Sequence, residues 1–463
     1  MKRTANNDDG CYLSDHQTPA SPPSTARRNE WPTTRSHEIR TIKAVVRHFS
    51  KDGLKTADYL AAAARQPTLY KSKPQTLIKN IEGVVKHFAG HGLSTRKYLK
   101  AALDQPQLFG QKPTTVTRNV ETFLRRFSAD GLVLDAYLRA AIRQPQLFYQ
   151  KPVTLITNVT HVVDHFAAHG LSTARYLTAM LKQPSLIAHK PAKLIGNVEK
   201  TVSQLPPATV GIQEFLLAAL RQPSLFYQNS DTLVANVTGV ARHFEGHGLT
   251  LRSYVRAAIA QPSLFCTKSG RVIDGVQRVV LYFASVPLAL PDYLRACLRQ
   301  PSLFTLAPET IIRHIEILFA LHAGDVFTLP PPRGAQVIPP EQTRNAVLHY
   351  LMSEPALMTL EDKNLELRRI HKALTGKPST PKNLTRSRSQ TELEVLICLG
   401  HNPAVNTVPA VGEQSPDSPA DDDRFIVQAT NYPRGLTSTD YPRLLRALIR
   451  QGYLKSVTLL GSD

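Results

Sequence analysis

Six histidines stand in pairs four residues apart: His87 with His91, His165 with His169, and His243 with His247. On a helix that spacing turns two imidazoles the same way, as in a helical metal site. The pairs recur 78 residues apart in alternate copies of a repeat, no cysteine stands nearby, and each closes a helix, where histidine complements the dipole. They are read as surface residues, and no metal or other cofactor is expected. The four cysteines, at 11, 266, 297 and 397, form no close pair, which argues against a disulfide framework or a Cys-rich zinc site. Cys266 and Cys297 fall at packed or turn positions in single copies, with no sign of a nucleophile. No phosphate-binding glycine loop, nucleophile elbow or paired-carboxylate motif stands out, so no enzymatic activity is expected.

The basic residues make the stronger chemical case. One slot reads Arg65, Asp104, Arg143, Lys182, Arg221, Ala260 and Arg299, and a second, four residues earlier, supplies Lys100, Arg139, Arg256 and Arg295. A spacing of four puts both slots on one helix face. A third slot holds Lys73, Lys112, Lys151, Lys190 and Lys268, each directly before a proline or, at 268, before a serine. Stacked copies would align these slots as cationic rows of the kind a phosphate backbone requires. The competing reading is that cations near a helix C-terminus complement its dipole. That reading leaves the Lys73 slot unexplained.

The element behind these slots is a repeat. The string QPxL begins at Gln66, Gln105, Gln144, Gln183, Gln222, Gln261 and Gln300, always 39 residues apart. Such a period marks one supersecondary unit stacked on its own copies, because a single unit cannot bury its apolar face. In residues 54–92 a first helix is expected to begin near Leu54, with Thr56 as its cap, and to end ahead of Pro67. A turn follows, with Leu69 and Tyr70 directed inward. Pro74 then opens a second helix whose Leu77, Ile81, Val84, Val85 and Phe88 form one apolar stripe. Gly92 suits a left-handed cap. The predicted fold is all-α: an α-solenoid of seven 39-residue helix-turn-helix repeats over 54–324, with a half-repeat cap at 38–53.

Two sets of second-helix positions bear on ligand contact. The Lys79 slot (Arg118, Thr157, Gly196, Ala235, Asp274, Arg313) and the Gly83 slot (Thr122, His161, Lys200, Arg278) vary between copies and point away from the apolar stripe. They are candidate base-reading positions, against the plainer reading of drift on a solvated face. Asn80, Asn119, Asn158, Asn197 and Asn236 share one slot beside the stripe. Asparagine is a poor mid-helix residue, so a hydrogen bond to backbone freed at the QP turn is expected.

One unit reads GL(S/T)xxxYLxAxLxQPxLFxxKPxTLxxNVxxVxxHF, with Pro67 and Leu69, Pro106 and Leu108, and their counterparts through Pro301 and Leu303 at the turns, and Gly92, Leu93 and Ser94 at a junction. This resembles the mitochondrial transcription termination factor family of helical repeats, and over residues 38–324 the resemblance implies a curved binder of duplex DNA. The chain departs from that family in its longer, uniform 39-residue spacing. Asp8, Asp9 and Asp15 also give the head the wrong character for a transit peptide.

The 463 residues carry 56 Lys+Arg against 36 Asp+Glu, a formal charge of +20. Residues 38–324 hold 35 basic and 17 acidic residues, a net of +18, so nearly all the surplus lies on the repeat. A polyanionic partner follows. Seven units about 10 Å apart would cover on the order of 20 base pairs. Duplex DNA is favoured over RNA, bound by a monomer. The alternative is a protein-interaction scaffold, since the Ser/Thr/Pro-rich head of 1–37, read as disordered, resembles a type III secretion leader. No membrane span is expected. The expected location is cytoplasmic or nucleoid-associated, or, for the effector reading, a host cell. Residues 325–376 read as a proline-rich linker with degenerate capping helices around Tyr350–Met358. Residues 377–463 read as a largely disordered tail with short helices, one of them amphipathic over 441–455.

Overall fold

The computed structural model describes residues 36–286, 288–326, 328–329, 343–360, 362–375, 377–385, 425–428 and 457–460. Almost all of the head, the proline run at 330–332 and the amphipathic stretch 441–455 lie outside these residues. Helices make up nearly everything described. In chain order the long ones are α1 (Ser36–His48), α2 (Thr56–Arg65), α3 (Pro74–Phe88), α4 (Thr95–Asp104), α5 (Pro113–Phe127), α6 (Leu134–Arg143), α7 (Pro152–Phe166), α8 (Thr173–Lys182), α9 (Pro191–Ser203), α10 (Ile212–Arg221), α11 (Ser230–His243), α12 (Leu251–Ala260), α13 (Ser269–Tyr282), α14 (Leu290–Arg299), α15 (Pro308–Ala323), α16 (Thr343–Ser353) and α17 (Asp362–Thr375). Even numbers are the first helices of the 39-residue units and odd numbers the second.

The chain divides into two compact units, residues 1–235 and 236–463, with the border inside α11. Within the first, even helices pack on even (α2 on α4, α4 on α6) and odd on odd (α1 on α3, α3 on α5, α5 on α7). Within the second, α12 packs on α14 and α13 on α15 in the same manner.

Each boundary has a local cause. The proline of QP cannot continue the first helix, and the preceding glutamine takes φ between −124° and −134° at all seven positions, outside the helical region. The turn that follows is itself a single helical turn, as in Thr68–Lys71 and Gln146–Tyr149. Pro74, Pro113, Pro152 and Pro191 open second helices as expected. Gly92 adopts φ +76°, a conformation cheap only for glycine, after a short 3₁₀ turn. The first helix starts two residues later than Leu54: the cap slot is Lys55, and where it holds Ser94, Ser172 or Thr250 the hydroxyl accepts the expected backbone N–H. Thr56 is therefore the first helical residue and not the cap.

The core is built between copies as much as within them. Tyr59, Tyr98, Tyr176 and Tyr254 set their rings edge-on to Phe109, Phe148, Phe226 and Phe304 of the next copy's short turn, with centroids 5.2–5.7 Å apart. Such pairs contribute about 0.5–1.5 kcal/mol beyond burial. Tyr70, at the start of the series, is only half-buried, unlike Leu69 beside it.

The asparagine slot ties the copies together. Asn80 donates to the carbonyl of Phe109 at 3.0 Å, Asn119 to Tyr149, Asn158 to Ile187, Asn197 to Phe226, and Asn236 to Phe265 at 2.8 Å. Every acceptor lies in the next copy's turn. At the start Thr41 takes the same part toward Ser72. Near the end His314 bonds the carbonyl of Met358 at 2.8 Å. That acceptor sits in the turn Pro355–Thr359 between α16 and α17, so the segment around Tyr350–Met358 is a further, degenerate helix pair. After α17 comes the one-turn α18 (Pro381–Leu384), and Ser379 pairs through its backbone with Val326 and Thr328. Beyond the helices, β1 (Phe425–Gln428) and β2 (Val457–Leu460) form a parallel pair with Phe425 opposite Val457. The reading of the tail in terms of helices alone did not include these strands.

Candidate nucleic-acid interface

All fourteen predicted cations are exposed, but their surroundings separate them into two groups. The guanidinium of Arg65 bonds the carbonyls of Leu103 and Asp104, the last residues of α4, and Arg143 does the same for Leu181 and Lys182 at the end of α8. Arg299 reaches the carbonyl of Met352 near the end of α16. These arginines therefore cap the next even helix, satisfying carbonyls that no intrahelical N–H can reach. The dipole reading of this slot is right in kind, but the helix served is the neighbour's. Arg295 is paired with Asp292 three residues earlier on its own helix. Arg221 ends α10.

The other group keeps its charge available. The side chains of Lys100, Arg139, Lys182 and Arg256 on the even helices, and of Lys73, Lys112, Lys151, Lys190 and Lys268, meet no acidic partner among the described residues. The last five occupy the N-cap positions of α3, α5, α7, α9 and α13, in extended or near-extended backbone. None of those five helices carries an acidic residue in its first turn. Where the slot is not lysine the pattern reverses: Asn229 caps the backbone of Thr232 and Asp231 follows in α11, and Ala307 is followed by Glu309 in α15.

The variable slots are less open than their phase suggests. A Cβ on Gly83 would lie 2.6 Å from Pro113, and one on Gly239 would lie 2.9 Å from Ser269, both first residues of the next odd helix. In the same slot Lys200 bonds Asp231 at 2.8 Å and Arg278 pairs with Glu309. Lys200 and Arg278 thus staple one odd helix to the next, while Thr122 is half-exposed and His161 exposed. The Lys79 slot stays exposed or half-exposed throughout.

Some of the histidines are likewise bonded between copies. His48, His87 and His165 bond Glu82, Glu121 and Glu199 at 2.7–2.8 Å, each 34 residues on, and His91 bonds Asp135 at 2.9 Å. Glu82, Glu121 and Glu199 stand on the next odd helix, and Asp135 stands on α6. No group of three or more metal-ligating side chains gathers among the described residues. Cys297 is buried, and burial raises its thiol far above the ordinary range. Among the described residues no helix is long and apolar enough to cross a membrane.

No protein-family model matches the chain, and neither does any curated protein.

Proposed function

We propose that the protein binds nucleic acid, duplex DNA above all, along a solenoid of these repeats. The observation that carries the reading is the row of N-cap lysines. A cation at a helix N-terminus opposes the macrodipole by about 0.3–1 kcal/mol, and folding alone would favour the Asn229 and Asp231 arrangement. Lys73, Lys112, Lys151, Lys190 and Lys268 are instead exposed, without acidic partners and 39 or 78 residues apart. A phosphate backbone offsets that cost by supplying the missing anions. The net charge of +18 over 38–324 and the resemblance to mitochondrial transcription termination factors support the same reading and extend it toward transcription control. The decisive experiment is a mobility shift on duplex DNA, single-stranded DNA and RNA of matched length across a salt series. Five lysine contacts correspond to a slope of log K against log salt of roughly −4.5 on duplex. A flat response removes the reading.

A second reading, a scaffold for a protein partner such as a secreted effector would engage, has one feature in its favour. Val280, Leu281, Ala284, Leu288 and Leu290 line an open groove of about 820 Å³, and Leu281 is 75% exposed. A tight, salt-insensitive protein partner together with no DNA retardation decides for it.

A further inference from the structure

Seven glutamines, Gln66 through Gln300, are identical in every copy and half-buried. Their backbone does not call for this residue. The shared conformation keeps φ negative, with ψ between 81° and 88°, so no left-handed backbone singles out one residue type. Their side-chain bonds are local in five copies, and the partners change from copy to copy. The amide of Gln66 donates to Thr68 and that of Gln144 to Gln146, while those of Gln222, Gln261 and Gln300 donate to the serine two residues on. Gln105 and Gln183 instead meet Tyr149 and Tyr227 of the following copy. A shorter polar side chain would serve for the five bonds made two residues on. The glutamine and the N-cap lysine flank the same one-turn helix, so both lie at one end of each helix pair.

The positions that differ between copies do not form a continuous reading series. Gly83 and Gly239 have no side chain, Lys200 and Arg278 are ion-paired, and in the exposed slot Gly196 and Ala235 present no hydrogen-bonding group. Lys79, Arg118 and Thr157 carry donors in three successive copies, but Gly196 and Ala235 break the series at the next two, and direct readout requires a distinct donor or acceptor set at each base step.

We infer that the repeat grips the sugar-phosphate backbone without reading base sequence, the lysines giving charge and the invariant glutamines giving neutral hydrogen bonds at each step. This rests on the nucleic-acid reading above. The test uses the full chain with a panel of duplexes of equal length and unrelated sequence, titrated at fixed salt. Affinities within about threefold are expected, since contacts to phosphate and sugar carry no sequence information. A preference of thirtyfold or more for one duplex overturns the inference while leaving nucleic-acid binding intact, whereas no binding to any duplex overturns the parent reading and this one with it. The triple change Gln66→Ala, Gln144→Ala and Gln261→Ala, checked for unchanged helicity, is expected to weaken binding about tenfold or more with the salt slope unchanged. Wild-type affinity in that variant overturns the role given to glutamine.

Discussion

The side-chain amide of Asn80 donates to the main-chain carbonyl of Phe109 across a junction between copies, with the asparagine 7% exposed. Removing a buried donor leaves its acceptor unsatisfied, which costs about 1–3 kcal/mol. Asn80→Ala should therefore lower the urea midpoint, and Asn80→Asp, which presents an acceptor to an acceptor, should lower it further. Urea denaturation followed by circular dichroism checks both.

Arg143 and Lys151 stand eight residues apart and should fail in different ways. Arg143→Ala removes the cap on α8 and is expected to cost about 1 kcal/mol of stability. Lys151→Ala removes a cation from the start of α7 and should leave stability equal or slightly higher. It should also weaken DNA binding and reduce the salt slope by about 1. Paired denaturation and binding titrations on both variants separate the two roles.

Tyr98 is fully buried and its hydroxyl has no partner among the described residues. Burial raises that phenol well above its ordinary range. The same slot in the fifth copy holds Phe215, so packing needs the ring alone. Tyr98→Phe is expected to gain about 1 kcal/mol by relieving an unsatisfied polar group. Tyr137→Phe should lose a comparable amount, because that hydroxyl donates to Leu147 at 2.9 Å. Opposite shifts in thermal midpoint are the readout.

Gly83→Ala should destabilise by about 1–3 kcal/mol through overpacking against Pro113. Gly90→Ala, where an added Cβ meets nothing within 4 Å, should be near neutral. A neutral Gly83→Ala would mean that the odd helices can separate without cost.

His189 stacks on Tyr227 with centroids 4.6 Å apart. Partial burial first, and then the neighbouring Lys193, hold its imidazole below the ordinary histidine value. The folded state thus binds a proton less readily than the unfolded one, so this group's contribution to stability is lost as pH falls through the histidine range. Replacing His189 by Phe should flatten that part of the stability profile between pH 7 and 5, measured by denaturation at each pH.

The helix pair itself was legible, because prolines, glycines and an apolar stripe act within one copy. Pro74 and Gly92 mark boundaries by restricting their own backbone, and the asparagine slot announced a hydrogen bond by its poor helix propensity. The partners were not legible. Arg65 reaches 38 and 39 residues ahead, His87 reaches 34, and Lys200 reaches 31, and those offsets depend on how one copy leans on the next. Recurrence in the sequence shows which groups repeat and not which of them meet. Arg65, Arg143 and Arg299, and Lys200 and Arg278 in the Gly83 slot, have their partners in the next copy, whereas the helix-start position of Lys73 depends only on its own helix. The one-turn helix at Thr68–Lys71 is too short to show a period.

The asparagine contacts also bear on how such a chain grows. An internal copy offers a donor on one side and a carbonyl on the other, so it resembles a tile with matching edges, and Thr41 and His314 are the trim pieces that close the series. Duplicating 117 nucleotides anywhere between them would reproduce a working joint without compensating mutations, so length is the property that selection can alter most easily. Gly275, which occupies the same slot and has no amide to offer, is the one tile with a blank edge, and an added copy beside it would inherit the weaker seam.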